Sequence, residues 1–285
     1  MVLSVETEQE AIELADAVRF IHMQGGFEIR NWVSNSSLVL SKLNGEQSVE
    51  KDLNITAELA NQKILGMWWD TRDDVFKYKI CWTRFDDALL EGTRCPTKRE
   101  ILRTLMTIYD PLGLIDHFLI LLKMLLQDVW RADVQWNEAI PENLFERWRN
   151  WLRLLPELEQ LRIPRCYRQM MSTKDFTIDL HVFVDASESA MSAIVFLRFV
   201  MGKEIECSLV AAKARVALLK YTSIPRLELH AAVLGCRLSN TVMQNLTIKL
   251  SKRTFWTDSR NVLCWLGADH KRYSAFVGSR VSEIL

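Results

Sequence analysis

"LHVFVDAS", residues 180–187, runs five β-forming residues straight into Asp185 and then two small ones. A strand apolar on both faces belongs inside a sheet, where a carboxylate is costly, so the acid has to mark a strand end. Working outward, residues 191–200 and 204–216 read as two further strands, with Gly202-Lys203 as the turn between them, giving an antiparallel meander with 179–187. A helix is expected from about Pro225, suited to a first helical turn, to about Asn245. "RTFWTD" (253–258) reads as a fourth strand, followed by a short helix over 259–266 that ends at Gly267. Three antiparallel strands, a helix, a strand and a helix make an α/β unit that brings acids to neighbouring strand ends.

The preceding chain has another pattern. Ala11, Leu14, Ala15 and Val18 recur at helical spacing, and Gly25-Gly26 stops that helix. Short strands are expected around Phe27–Trp32, Ile64–Trp68 and Lys77–Trp82, making a small α+β segment over 1–96. From Thr97 the code turns helical. Ile101, Leu102, Leu105, Met106 and Ile108 form one side of a first helix, Pro111–Gly113 breaks it, and helices over 114–131 and 142–155 follow. Trp68, Trp69, Trp130, Trp136, Trp148 and Trp151 read as core residues. A linker is expected near 165–176, so the chain divides into 1–96, 97–176 and 177–285.

The formal net charge is zero, but residues 1–96 carry ten basic and sixteen acidic side chains while 201–285 carry thirteen basic and six acidic. The basic C-terminal third suits a polyanion. Arg226, Lys252, Arg253, Lys271 and Arg272 are the candidate nucleic-acid contacts, against the plainer reading of a solvated face. Six scattered cysteines, without CxxC or zinc spacing, read as reduced thiols, several of them in the core. No secretion signal is evident, and "LIDHFLILLKMLL" (114–126) is too short to span a membrane. An intracellular protein, cytoplasmic or nuclear, is expected.

Two further acids sit like Asp185. Asp258 closes the strand "TFWTD". Glu228 shares a helix face with Ala231, Ala232 and Gly235, a stripe of small residues suited to close packing on a sheet. Each has a plain alternative: a turn for Asp185, an ion pair for Glu228, and an N-cap of helix 259–266 for Asp258. Together they resemble a cation site, since clustered carboxylates repel unless a divalent ion neutralises them. Hard oxygen ligands favour Mg²⁺ or Mn²⁺, and a pair of such ions about 3.5–4 Å apart serves in-line phosphoryl displacement. Ser187 and Ser259 are candidates for orienting the acids. His230, beside the stripe, reads as helix surface.

The order strand-Asp, helix-Glu, strand-Asp, carried by "VDAS", "IPRLELHAA" and "TDS", resembles the ribonuclease H domain of a reverse transcriptase. With "GGFEIRNWVSN" (25–35), "LGMWWD" (65–70), "TIYDPLGLI" (107–115), "LLQDVW" (125–130), "IPR" (163–165) and "VGSRVSEI" (277–284), the chain is similar to Pao/BEL-class LTR retrotransposon polyproteins. The resemblance implies a partial polymerase palm/thumb segment over 1–96, a helical connection over 97–176 and a ribonuclease H-like mixed sheet with helices over 177–285. It further implies Asp185, Glu228 and Asp258 as catalytic metal ligands, weakly held Mg²⁺ or Mn²⁺, an RNA–DNA hybrid as substrate and the rest of the parent polyprotein as partner. It places the polymerase's paired aspartates ahead of residue 1 and a fourth nuclease acid beyond residue 285. Polymerase activity is therefore not expected, and nuclease activity is expected to be weak or absent in this chain.

Two other readings compete. One is a non-catalytic nucleic-acid binder or decayed element product. The other is an aspartic peptidase, which uses two carboxylates on Asp-Ser/Thr-Gly turns. Asp185 is followed by Ala-Ser and Asp258 by Ser-Arg, so the glycine that such turns need is absent from both.

Overall fold

The computed structural model describes residues 4–29, 32–44, 61–64, 67–80, 82–83, 85–168, 176–268 and 273–285. The chain divides into two compact units, Met1–Lys79 with Glu159–Cys166, and Ile80–Leu158 with Tyr167–Leu285.

The first unit holds helices α1 (Glu8–Gln24) and α2 (Ser37–Asn44) and a sheet of β1 (Asn61–Ile64), β2 (Met67–Asp70), β3 (Val75–Lys77) and β4 (Ile163–Pro164) in that order. Thr7 and Glu10 close a capping box at the start of α1. At its end the Phe27 amide returns to the His22 carbonyl (2.9 Å). Phe27 is therefore drawn back onto the helix, and Phe27–Ile29 form no strand. The segment expected as one strand over Ile64–Trp68 contributes to two, β1 and β2. β3 stops at Lys77 rather than starting there. Beyond it, the Trp68 indole N–H takes the Lys79 carbonyl (3.2 Å), so a side chain replaces the ladder. Arg165 clasps Asp74 through two guanidinium bonds (2.6 and 2.8 Å) and donates its amide to the Asp74 carbonyl (3.0 Å), which ties β4 to the β2–β3 turn.

The second unit begins with helices α3 (Asp87–Leu90), α4 (Lys98–Thr107), α5 (Asp116–Arg131) and α6 (Glu142–Leu152); α7 (Leu155–Gln160) follows, its last two residues counted with the first unit. On α4 the buried residues are Lys98, Ile101 and Thr104, spaced i, i+3 and i+6, with the extended C-cap Ile108 buried just beyond the helix; Met106 is 75% exposed, contrary to expectation. Of the tryptophans, Trp69, Trp148 and Trp151 are core, and Trp68 is half-buried. Trp130 and Trp136 are exposed and meet edge to face (5.4 Å). Their rings serve the buried Lys98, whose ammonium lies 3.4 Å from the Trp130 ring centre and donates to the Val134 carbonyl (3.0 Å). A cation needing a dry but electron-rich site explains why these rings sit at the surface.

A second sheet with its helices follows: β5 (Thr177–Ala186), β6 (Ala190–Met201), β7 (Glu204–Val216), helix α8 (Ile224–Asn245), β8 (Lys252–Trp256), α9 (Arg260–Gly267) and α10 (Ala275–Ile284). The strand order is β7-β6-β5-β8, with the first three antiparallel and β8 parallel to β5. Leu180, Val182 and Val184 alternate into one face with Ala193, Val195 and Leu197 of β6, and α8 covers them. The small-residue stripe has the expected role: a Cβ at Gly235 would overlap Val184 Cγ1, so only glycine admits the helix this closely.

At the other edge, Gly113 (φ +73°) presses against the Ala212 carbonyl, the Leu112 carbonyl accepts the Ala212 amide (2.8 Å), and Asp116 Oδ2 accepts the Ala214 amide (2.6 Å). The "DPLGLID" turn thus satisfies edge strand β7 and joins α5 to the sheet. Among the described residues Cys95, Cys207, Cys236 and Cys264 are in no disulfide, and Cys236 is buried. Among the described residues, no helix is long and apolar enough to cross a membrane.

Candidate active site

Parallel pairing of β5 with β8 sets Phe183 opposite Trp256. Asp185 and Asp258 each lie two residues further on, so both acids fall at the same end of adjacent strands. Asp185 is exposed, and its Oδ1 accepts the Ala186 amide (2.7 Å). Asp258 is exposed and makes no hydrogen bond or ion pair among the described residues.

Asp258 is not the cap of α9. Ser259 takes that role, its Oγ accepting the Val262 amide (3.2 Å). The same hydroxyl donates to Glu228 Oε2 at 2.5 Å. Ser259 is 4% exposed, which makes it the buried link between the helix acid and the strand-end acid next to it. Glu228, in the second turn of α8, is half-buried and has no ion-pair partner among the described residues. Ser187 is used differently from expectation: its hydroxyl accepts the Ser189 and Ala190 amides and closes the β5–β6 turn.

The donor set is three carboxylates, chemically suited to a hard divalent cation. Among the described residues, no group of three or more His, Cys, Asp or Glu side chains is already gathered around one point that could hold a metal. Asp185 opens onto a cleft of about 360 Å³, whose other walls include Ser187, Ser192 and Phe196 of the strands and Gly113, His117 and Ile120 at the start of α5.

The open face beside the acids is aromatic. The Phe183 and Trp256 rings are stacked nearly parallel (10°, centroids 6.0 Å), and the Trp256 indole N–H donates to His181 Nδ1 (2.8 Å). The alternation in "HVFVD" places His181, Phe183 and Asp185 on one face, a signal that the sequence carries beside the acids themselves.

The basic candidates separate. Lys252 is exposed at the start of β8. Arg226 is exposed with its guanidinium over Phe276 (4.9 Å). Arg253 is turned to α8, donating to Asn240 Oδ1 (2.7 Å). Lys271, Arg272 and His270 lie outside the described residues. His230 is not helix surface. It is half-buried, with its ring edge-on to Phe276 (5.3 Å), and burial together with Arg280 and Arg237 holds its pKa below the ordinary histidine value.

The sequence model of the Pao retrotransposon-like RNaseH-like domain matches residues 97–259. No curated protein matches the chain. Two solved structures are similar in part. One is the foamy viral protease-reverse transcriptase dRH in complex with ds DNA, with 10% identity and TM-score 0.41, over 78% of this chain and 35% of that one. The other is the foamy viral protease-reverse transcriptase in complex with dsDNA, with 12% identity and TM-score 0.25, over 91% of this chain and 51% of that one. The chain thus spans between a third and about half of the length of those proteins.

Proposed function

The chain belongs to the Pao retrotransposon-like RNaseH-like family, and from that premise we propose that it acts on the RNA strand of RNA–DNA hybrids by divalent-metal-dependent phosphodiester hydrolysis. The observation that carries this reading is the placement of Asp185 and Asp258 at the ends of paired parallel strands, with Glu228 bound to the serine that follows Asp258.

In this reading Asp185, Glu228 and Asp258 would hold Mg²⁺ or Mn²⁺. When bound, the ions supply a nucleophilic water at neutral pH and charge stabilisation for the leaving oxygen. Ser259 fixes the Glu228 carboxylate against rotation, so one ligand is pre-set. Asp185 and Asp258, both exposed, contribute charge at the strand ends, Asp185 with one oxygen on the Ala186 amide. The hybrid is read by its backbone and 2′-OH groups rather than by sequence.

Since Asp258 is not held in advance and Asp185 is held through one oxygen alone, cleavage is slow, and Mg²⁺, which demands near-octahedral geometry, is the harder ion to satisfy. The test is hybrid cleavage by the purified chain with Mg²⁺ or Mn²⁺. The expected result is slow, metal-dependent cutting of the RNA strand that Asp185→Asn reduces by at least about 100-fold, a loss of about 2.7 kcal/mol of transition-state stabilisation. An unchanged rate in Asp185→Asn defeats the mechanism. Hybrid binding with no metal-dependent cleavage at all selects the non-catalytic binding role instead.

A further inference from the structure

Away from the carboxylates, a second cavity of about 370 Å³ lies where the end of β7, the middle of α8 and the end of α10 meet. Its charged lining among the described residues is lopsided: Arg215, Arg237 and Arg280 against the carboxylate of Glu283, with His230 and Ser279 beside them. Glu283 is already engaged by Arg237 in a forked pair (2.5 and 3.0 Å). Neither Arg215 nor Arg280 has an ion-pair partner among the described residues.

Two of the three arginines are held in place, Arg237 by Glu283 and Arg280 by Phe276. Arg280 lies 3.7 Å over the Phe276 ring and donates to the Phe276 carbonyl (2.8 Å), so part of its fork is fixed while other N–H groups stay available. Arg215 projects from a strand position paired with Met191 of β6. Three separate elements thus bring arginines to one concavity, Arg280 half-buried and Arg215 and Arg237 exposed at its rim. Guanidinium forks match phosphate oxygens in geometry, and fixing them beforehand lowers the ordering cost of binding.

We propose that this cavity is a phosphate-binding subsite, built by Arg215, Arg280 and the Glu283-braced Arg237, which takes a backbone phosphate of a polynucleotide. The subsite is independent of the carboxylates, because phosphate recognition here requires neither a metal nor cleavage.

The test is binding of a short fluorescein-labelled RNA–DNA hybrid to the purified chain in EDTA, followed by anisotropy across a range of salt. Arg215→Gln and Arg280→Gln are compared, alone and together, with Lys203→Gln, which removes the same charge from the exposed β6–β7 turn. The double substitution is expected to weaken binding about tenfold or more and to reduce the slope of log affinity against log salt by about 1. Lys203→Gln should change binding less than twofold. Circular dichroism checks folding, and Arg215→Gln, on an exposed strand residue, carries the test if Arg280→Gln disturbs α10. An equal loss from Lys203→Gln, or no loss from the double substitution together with no response of the Ser279 and Arg280 amides to inorganic phosphate, overturns the subsite. Inorganic phosphate that shifts the Ser279 and Arg280 amide resonances while the double substitution leaves hybrid affinity intact overturns the polynucleotide as its source. Because the readout is metal-free, the nuclease reading stands or falls separately.

Discussion

At the scale of single residues, Ser259 has two tasks with one hydroxyl: it accepts from the first turn of α9 and donates to Glu228. Losing the cap costs about 1 kcal/mol, and a half-buried carboxylate without its donor adds a comparable amount. Ser259→Ala is therefore expected to lower stability by about 2 kcal/mol in urea unfolding. It should also slow any metal-dependent hybrid cleavage, because Glu228 would lose the hydroxyl that fixes its carboxylate. Ser259→Thr, which keeps the hydroxyl, should restore most of the stability. Lys98 shows the opposite case of a charge held without a carboxylate, by Trp130, Trp136 and the Val134 carbonyl. Lys98→Met keeps the stem but forfeits the cation–π contact, so a loss of about 1 kcal/mol in the same measurement is expected.

At the scale of elements, the "DPLGLID" turn decides how the helices meet the sheet. Gly113 combines positive φ with a backbone neighbour that no side chain could clear. Gly113→Ala should cost about 3 kcal/mol, strain and overlap together, and lower the melting temperature of its unit by roughly 6–12 °C. The sequence showed Pro111–Gly113 as a break but not its purpose, because the carbonyl it meets belongs to Ala212, far along the chain.

The same distinction runs through the rest of the fold. β5, β6, β7 and α8 were legible because alternation, the Gly202 turn and the Ala231–Gly235 stripe are local signals. The ends of β3 and the fate of Phe27 were not, since a tryptophan indole and a helix cap took the backbone groups that a strand would have used. In the candidate site, the strand-end acids and the inward helix acid could be read from pattern. The role of Ser259, the ring contact of His230 and the turning of Arg253 toward α8 depend on tertiary neighbours, which pattern does not encode.

At the scale of the whole molecule, both units rest on carboxylates that favour their ionised form. In the first unit burial pushes the Asp70 pKa up, but the Lys77 ammonium and the Arg72 amide outweigh it and bring it below the ordinary value. In the second, burial of Glu100 is outweighed by Arg94 and by the Thr97 backbone and hydroxyl, and burial of Asp128 by Arg147 and Arg131. The sign follows from linkage. A carboxylate whose folded pKa lies below its unfolded one contributes stability that is fully present above the unfolded value, near about 4, and is lost as pH falls through the folded value. Urea midpoints should therefore stay nearly flat from about pH 7 to about 5 and fall steeply below about 4. Because the acids belong to separate units, the dependence can be divided. Asp70→Asn should lower the midpoint at neutral pH and flatten the acid limb of the transition that reports the first unit, followed through Trp69, which bonds to Asp74 in that sheet. Glu100→Gln should do the same for the second unit, followed through Trp148 and Trp151. An Asp70→Asn chain whose first-unit midpoint keeps the full acid limb would show that the Lys77 pair does not carry this stability.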